Sequence, residues 1–287
     1  MIPESELIIN PDGSVFHLHL RAEHLADRII LCGDPERVAL IAGNFDSREC
    51  DILNREFHTI TGIYKGKRIS IVSHGIGCDN IDIVITELDA LANINFKTRE
   101  ICPDFRQLTM VRIGTSGGLQ HFTPVGSFVA AEKSIGFDGV VYFYKDNEEI
   151  RDLQLENQLL KEIDWKIQGV RPYAVSADKS LIEQICKDDI IKGITIAANG
   201  FYGPQGRKLR LRLFDNKLNE KIESFKYENR FITNFEMESS ALSGLAAMMG
   251  HRAMTVCCII AGRVSQEMNV GYHASIEGLI EKVLNRI

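Results

Sequence analysis

Short apolar runs alternate with amphipathic stretches along the whole chain. Continuous apolar runs bounded by polar residues are typical of buried strands. The predicted buried strands are 28–32, 108–111, 128–131, 170–175, 194–198, 231–235 and 254–260. Apolar positions at helical spacing predict helices at 79–95, 177–187, 241–250 and 273–286. The β-branched runs 57–64 and 67–72 flank Lys65-Gly66, which predicts a hairpin.

The alternation of strands and helices decides the fold class. The chain has no proline- or glycine-rich linker and no internal repeat. It therefore predicts a single α/β domain over residues 1–287, with a mixed central sheet flanked by helices. Residues 1–14 are polar and are predicted to form an exposed N-terminal arm.

Two other segments have patterns of their own. From Val15 to Leu20 apolar residues alternate with histidines, which predicts a half-buried edge strand with His17 and His19 on one face. Residues 208–229 are heavily charged and predict a solvated helical face.

Composition excludes several classes of protein. The 287 residues carry a formal net charge of −6, with no long basic run, which argues against a nucleic-acid partner. The seven cysteines are scattered without a C-x-x-C pair, so neither a disulfide framework nor a zinc site is expected. Because no signal peptide and no apolar run of membrane-spanning length is visible, we expect a cytoplasmic protein with no membrane partner.

Two glycine-containing segments follow predicted buried strands and carry arginines. Arg112 precedes Gly114-Thr115-Ser116-Gly117-Gly118, and Gly33 precedes an Asp34-Pro35 helix start with Arg37 in the first turn. Close backbone approach, a guanidinium fork and a helix N-terminus all suit an oxyanion. Plain turns are the alternative at both places.

Two more segments have groups suited to a sugar and a flat ring. Glu236 and Glu238 lie where a strand becomes a helix, so they fit sugar hydroxyls or merely compensate the helix dipole. The loop 199–207 combines aromatic, amide and cationic side chains that suit a flat polar ring, with an ordinary turn as the alternative. Sites for phosphate, sugar and base in one chain indicate a nucleoside or nucleotide ligand. The motifs of P-loop NTPases, dinucleotide-binding dehydrogenases, zincins and α/β-hydrolases are absent.

With these residues identified, the chain resembles the nucleoside phosphorylase superfamily from about Val15 to Arg263. The matching stretches, all in the same order, are Val15-Phe16-His17-Leu18, Gly33-Asp34-Pro35-Glu36-Arg37-Val38, Arg55-Glu56-Phe57, Arg112-Ile113-Gly114-Thr115-Ser116-Gly117, Phe201-Tyr202 with Gln205-Gly206-Arg207, and Asn234-Phe235-Glu236-Met237-Glu238-Ser239. The resemblance implies a nucleoside phosphorylase-like α/β fold with no metal and no organic cofactor.

The resemblance also implies a role for each matching residue. It assigns phosphate to Gly33, Arg37, Arg112 and Thr115, with Arg55 reaching in from a neighbouring subunit. It assigns the ribose to Met237 and Glu238, with His17 of the partner subunit at the 5′-hydroxyl. It assigns the base to Phe201, Gln205 and Arg207. The implied catalytic residues are Arg37, Arg112, Arg207 and Glu238.

The implied reaction is reversible, phosphate-dependent cleavage of uridine to uracil and ribose 1-phosphate, with deoxyuridine and thymidine as open alternatives. Purine-cleaving relatives carry an aspartate in the segment where this chain has Ala261-Gly262, which favours a pyrimidine. A purine nucleoside phosphorylase, a hydrolytic nucleosidase of the same superfamily and a non-catalytic nucleoside-binding protein are the alternatives.

Departures from the bacterial hexameric form bear on assembly. Gly262 stands where that form has asparagine, the connection 96–107 is longer, and Asn80 replaces a serine of an intersubunit potassium site. The longer connection resembles that of the dimeric members, which predicts a homodimer with a hexamer as the alternative, and the potassium site stays open.

Overall fold

The computed structural model of the chain describes residues 1–263, 266–269 and 271–287. Its strands are β1 (Arg28–Cys32), β2 (Ser47–Asn54), β3 (Phe57–Tyr64), β4 (Lys67–Ser73), β5 (Ile94–Asn95), β6 (Glu100–Ile101), β7 (Thr109–Gly118), β8 (Phe128–Gly136), β9 (Tyr173–Ser176), β10 (Ile191–Ala197), β11 (Lys226–Tyr227), β12 (Arg230–Glu236) and β13 (Arg252–Gly262). Its α-helices are α1 (Pro35–Ala42), α2 (Cys78–Asn93), α3 (Leu153–Glu162), α4 (Lys179–Ile185), α5 (Leu218–Ser224), α6 (Ser239–Met248) and α7 (His273–Arg286). Every predicted buried strand and helix is present, which confirms the α/β class.

One mixed sheet contains all the strands except the β5–β6 pair. Its order is β11-β12-β10-β8-β13-β7-β1-β4-β3-β2, with β9 attached to β8. The central strand β1 pairs in parallel with β4 and β7, whereas the β2–β3–β4 end is antiparallel. Because β12 also pairs with the end of β7, the strands β7, β13, β8, β10 and β12 form a closed ring of pairings.

The central strand is buried on both faces. Ile30 and Cys32 pack into a core that includes α1, α4 and α7, whereas Ile29 and Leu31 pack into a second core formed mainly with α2 and α6. This follows from the alternation of side chains along a strand. Each fully buried aliphatic side chain contributes about 1.5–3 kcal/mol, so β1 is a rigid support for the turn that follows it.

Local signals in the sequence predict the turns well. The carboxylate of Asp34 caps α1 by accepting from the Glu36 N–H at 2.9 Å, as expected for a helix that starts at Pro35. Lys65 and Gly66 adopt φ values of 48° and 76°, which two-residue hairpin turns favour. Both predictions are confirmed.

The alternative of a plain turn after Arg112 does not hold, and the strand predicted over 108–111 is longer than expected. The strand β7 continues through the glycines to Gly118, where it pairs with β12 and β13. Glycine is needed because the segment is crowded: a Cβ at Gly118 would lie 2.5 Å from the Thr123 carbonyl oxygen. The glycines therefore permit close packing of a curved strand instead of forming a turn.

The edge strand predicted over Val15–Leu20 is also wrong. Only an isolated bridge joins Ile9 and Val15, and a turn follows. The His17 ring is not merely solvated, because its Nδ1 lies 2.6 Å from Glu87 Oε1. The carboxylate of Glu87 also accepts the backbone N–H groups of His17 and Leu18, which holds the turn on α2.

Two surface segments depart in part from expectation. Within 208–229 only α5 is helical, and Leu209, Leu211 and Phe214 are exposed. The N-terminal arm is largely exposed, as predicted, but Arg99 holds it by donating to the carbonyl oxygens of Ile2 and Pro3 at 2.8 and 3.0 Å.

All seven cysteines are free thiols. Among the described residues, no helix has the length and apolarity to cross a membrane.

Candidate active site

The ends of β1, β12 and β13 and the second half of β7 surround a cavity of about 810 Å³. Most of the residues predicted for the site line this cavity. They are Gly33, Arg37, Arg112, Thr115, Phe201, Gln205, Arg207, Met237 and Glu238. His17 and Arg55 do not line it. The structure thus brings the predicted phosphate, sugar and base groups of one chain together, at one site.

Strand register explains why the two oxyanion segments meet. Leu31 of β1 pairs with Arg112 of the neighbouring strand β7. The turn that follows Cys32 at the end of β1 therefore lies close to Arg112. Arg37, in the first turn of α1, reaches across and donates from Nη1 to the Ile113 carbonyl oxygen at 3.4 Å. Gly33 must be glycine here, because a Cβ would lie 2.9 Å from the Gly75 carbonyl oxygen.

Arg112 is buried among acceptors. Its Nη1 donates to Glu236 Oε2 at 2.8 Å, and its Nη2 donates to Glu238. Although burial disfavours a charged guanidinium, the two carboxylates raise the pKa of Arg112 above its ordinary value. Arg112 is therefore a permanent cation with two carboxylate partners.

The two glutamates have different surroundings. Glu236, at the end of β12, accepts the N–H groups of Glu238 and Ser239 at 3.0 Å and the Ser239 hydroxyl at 2.6 Å. It thus occupies the N-terminus of α6, in accord with the helix-dipole interpretation. Burial raises the pKa of Glu236, which Arg112 beside it offsets only in part.

Glu238 is held by a backbone amide as well as by Arg112. Its Oε1 accepts the Gly77 N–H at 2.7 Å, and its other oxygen accepts from Arg112. The side chain is buried yet lines the cavity next to Met237. Its carboxylate is therefore fixed in direction and available as an acceptor for hydroxyl groups.

The loop 199–207 carries the residues predicted to bind the base, Phe201, Gln205 and Arg207, and all three line the cavity. The Arg207 guanidinium stacks on the Phe201 ring, with Cζ 3.7 Å from its centroid. Arg207 Nη1 also donates to Gln205 Oε1 and to the Phe201 carbonyl oxygen, both at 2.5 Å. Partial burial, together with the positive charge of Arg263, lowers the pKa of Arg207 to about 10. An anion beside Arg207 in the cavity would relieve that repulsion.

Arg263 is a cavity residue that sequence reasoning did not select. It follows β13, lines the cavity, and donates from Nη2 to the Gln205 carbonyl oxygen at 2.7 Å. Burial lowers its pKa. The signal was present, because a buried strand ending in Gly262 and an arginine resembles the Gly33–Arg37 pattern. Ile76, Met268 and Tyr272 were likewise missed, and as isolated apolar or aromatic residues they had no signal.

His17 and Arg55 lie on one surface outside the cavity. The guanidinium of Arg55 covers the Phe16 ring at 5.3 Å, and Asn54 Nδ2 donates to the His17 carbonyl oxygen at 2.6 Å. Arg55 is exposed, with a φ of 55° in the β2–β3 turn. Their assignment to the site of a partner subunit stays a prediction. Among the described residues, no group of three or more His, Cys, Asp or Glu side chains could hold a metal ion.

Several known proteins are similar to this chain over most of its length. The uridine phosphorylase of Thermococcus kodakarensis is 28% identical over 258 residues, covering 89% of this chain and 80% of that protein. A DeoD-type purine nucleoside phosphorylase of Geobacillus stearothermophilus is 26% identical over 277 residues, covering 94% and 99%. The crystal structure of a Trypanosoma brucei nucleoside phosphorylase, described as showing uridine phosphorylase activity, superposes with a TM-score of 0.89 at 29% identity and 98% coverage of both chains.

The family model of the Phosphorylase superfamily matches residues 27–284, which include every element around the cavity. That range covers the arginines of β7 and α1 as well as the loop 199–207. The chain therefore belongs to the Phosphorylase superfamily.

Proposed function

We propose that the protein is a uridine phosphorylase, which cleaves uridine reversibly with inorganic phosphate to give uracil and ribose 1-phosphate. The observation that carries the proposal is a single cavity whose lining includes the carboxylate of Glu238 together with four guanidinium groups, those of Arg37, Arg112, Arg207 and Arg263. Similarity to the uridine phosphorylase of Thermococcus kodakarensis and to the active Trypanosoma brucei protein supports it.

The charges of the cavity fit the charges of the reaction. A phosphate oxygen forms a bond to C1′ while the C1′–N1 bond breaks and its electron pair leaves with the base. Arg37, Arg112, Thr115 and the Gly33 amide hold phosphate as an oriented nucleophile. Glu238 holds the ribose hydroxyls and is an anion close to the cation-like sugar. No step requires a cofactor.

The leaving base becomes an anion as the bond breaks. Arg207 is fixed by Gln205 and Phe201, and Arg263 is fixed by the Gln205 carbonyl oxygen. Donors held in place for charge that develops late in the reaction lower the barrier more than they strengthen substrate binding. The preorganisation of Arg207 and Arg263 is therefore the proposed contribution of the loop 199–207 and the end of β13 to catalysis.

Acidic residues of the cavity support a pyrimidine substrate. The carboxylates among its described lining residues are Asp34, Glu236 and Glu238. Asp34 caps α1, and the two glutamates hold Arg112. Each of these three carboxylates therefore already has another partner, and Ala261-Gly262 occupies the segment where purine-cleaving relatives carry an aspartate.

Steady-state assays test the reaction and the base preference together. Uracil release from uridine should require phosphate, and uridine should be preferred over inosine and adenosine. Chromatography of the products with and without phosphate measures both. Release at the same rate without phosphate would indicate a hydrolase, tight binding without turnover would indicate a binding protein, and preference for inosine would contradict the base assignment.

We also propose that the active unit is a homodimer with a site completed by Arg55 and His17 of the partner subunit. Both residues lie on an exposed surface that is separate from the cavity of their own chain, and both match the family motifs. Co-expression of Arg55→Ala and Arg112→Ala chains with different tags tests this arrangement.

In a purified mixed dimer, one site has both substitutions and the other has neither. We therefore expect about half of the wild-type activity, although each variant alone is nearly inactive. Dimers of a single variant, purified in the same way, are the control. No recovery of activity in the mixed dimer would show that each chain forms its site alone, and light scattering gives the number of subunits.

A further inference from the structure

His74 is a buried histidine next to the phosphate end of the cavity. It directly follows β4, and its backbone N–H donates to the Cys32 carbonyl oxygen at 2.9 Å. Its ring is fully buried and does not line the cavity. The sequence motif around Gly75 and Gly77 gave it no role.

The ring of His74 contacts the guanidinium of Arg112 at its Nε atom. His74 Nε2 lies 3.1 Å from Arg112 Nε, which is solely a donor, so Nε2 is the acceptor and the ring proton is on Nδ1. Burial and the positive charge of Arg112 lower the pKa of His74 well below its ordinary value, and the ring stays neutral. A protonated ring would lose the acceptor and place a second cation beside the first.

This bond complements the two carboxylate contacts. The three nitrogens of the Arg112 guanidinium donate in three directions, to His74, Glu236 and Glu238. The carboxylates fix the plane of the guanidinium but also compete with phosphate for its charge. A neutral imidazole fixes the plane while leaving the positive charge intact.

His74 also lies under the second oxyanion element. A Cβ placed on Gly33 would be 3.7 Å from His74 Cε1, so the ring fills the space behind the Gly33 turn. The His74 side chain thus contacts Nε of Arg112 and packs next to the backbone that carries the Gly33 amide. Both groups belong to the proposed phosphate site.

We propose that His74 is a positioning residue for phosphate, which acts by accepting the Arg112 Nε–H and so fixes the guanidinium that lines the cavity. The inference rests on the proposed function. When phosphate takes a terminal nitrogen of Arg112 from a carboxylate, the bond from Nε to His74 is the one that keeps the guanidinium in place. The ligand recognised through His74 is therefore the inorganic oxyanion and not the nucleoside.

The test compares three substitutions at this position. His74→Leu removes the acceptor. His74→Asn retains an amide oxygen, but the asparagine side chain is too short to bring that oxygen within reach of Arg112. His74→Gln places its amide oxygen near the position of Nε2. Loss of a hydrogen bond to a charged group should raise the phosphate KM of the leucine and asparagine variants by about 10- to 100-fold. The glutamine variant should stay close to wild type, and the uridine KM should stay unchanged in all three.

A second buried histidine provides the matched control. His251 directly precedes β13, at the end of that strand that lies away from the cavity. It accepts the Leu108 N–H at 3.2 Å and contacts Asp89 at 3.0 Å. His251→Leu should lower the melting temperature without changing the phosphate KM. If His74→Leu does not fold, the glutamine and asparagine variants carry the comparison.

The outcomes separate the two proposals. An unchanged phosphate KM in His74→Leu, or in His74→Asn if the leucine variant does not fold, would overturn the role of His74. So would a glutamine variant as impaired as these, or an equal rise of the KM values for phosphate and uridine. Uridine cleavage by the wild type without any need for phosphate would instead overturn the proposed function.

Discussion

Replacing Arg112 with alanine should lower the phosphate-dependent kcat/KM for uridine by at least about 10²- to 10³-fold, the usual cost of losing one preorganised donor. It should also destabilise the fold, because Glu236 and Glu238 would remain buried without their cation. Breaking a buried ion pair from one side typically costs about 3–5 kcal/mol. Steady-state kinetics and urea denaturation measure the two effects separately.

The loss of stability should depend on pH. Burial raises the pKa of Glu236 above its ordinary value, and removing Arg112 takes away the charge that opposes this shift. A carboxyl with a raised folded-state pKa binds its proton more tightly in the folded than in the unfolded chain, so stability falls as pH rises through that pKa. The variant should therefore lose more stability at about pH 8 than at about pH 5.

Two further variants make the Arg112 result specific. Arg112→Lys keeps a charge but not the planar fork, so it should fold better than the alanine variant and still use phosphate poorly. Arg230→Ala removes an arginine that pairs with Glu132 in a partly exposed position away from the cavity, and it should cost at most about 1 kcal/mol. Normal phosphate use by Arg112→Ala would contradict the assignment of this residue.

Replacing Arg207 with alanine should lower kcat by about 10²- to 10³-fold while leaving the phosphate KM nearly unchanged. The expected cause is loss of the fixed donor that stabilises the departing uracil anion at the base end of the cavity. The neighbouring substitution Lys208→Ala is the matched control, because Lys208 is exposed and does not line the cavity.

The leaving group gives this second prediction a sharper form. A fluorine at position 5 of uracil makes the departing anion more stable by itself, so 5-fluorouridine should depend less on Arg207. The ratio of kcat values for 5-fluorouridine and uridine should therefore be larger in Arg207→Ala than in the wild type. An equal ratio in the two proteins would show that Arg207 acts before the bond to the base breaks.

Local chemistry predicted what depends on neighbouring residues. Asp34 and Pro35 start a helix, and Lys65 with Gly66 forms a tight turn, because each device needs only a few consecutive residues. The buried strands were predictable for the same reason. The fold and the site residues could be assigned to one family because the six short matching stretches follow one another in the order typical of that family.

Pairing between distant segments explains what was missed. The extension of β7 through Gly118 depends on contacts with β12 and β13, which lie far along the chain. His17 was predicted to lie on a half-buried edge strand because its partner, Glu87, is on the distant helix α2. His74 and Arg263 had no assigned role for the same reason, since the groups that they contact come from other elements.

The position of β2 at the end of the sheet limits how the molecule can associate with others. A terminal strand presents unpaired backbone groups, and many proteins aggregate through them. Here Arg48, Glu49 and Asp51 place exposed charges of both signs along that strand, and Glu49 is tied to Arg68 at 2.7 Å. Joining a second sheet edge to edge would require these charges to lose water. We therefore expect a partner that covers this side to dock through side chains and not by extending the sheet.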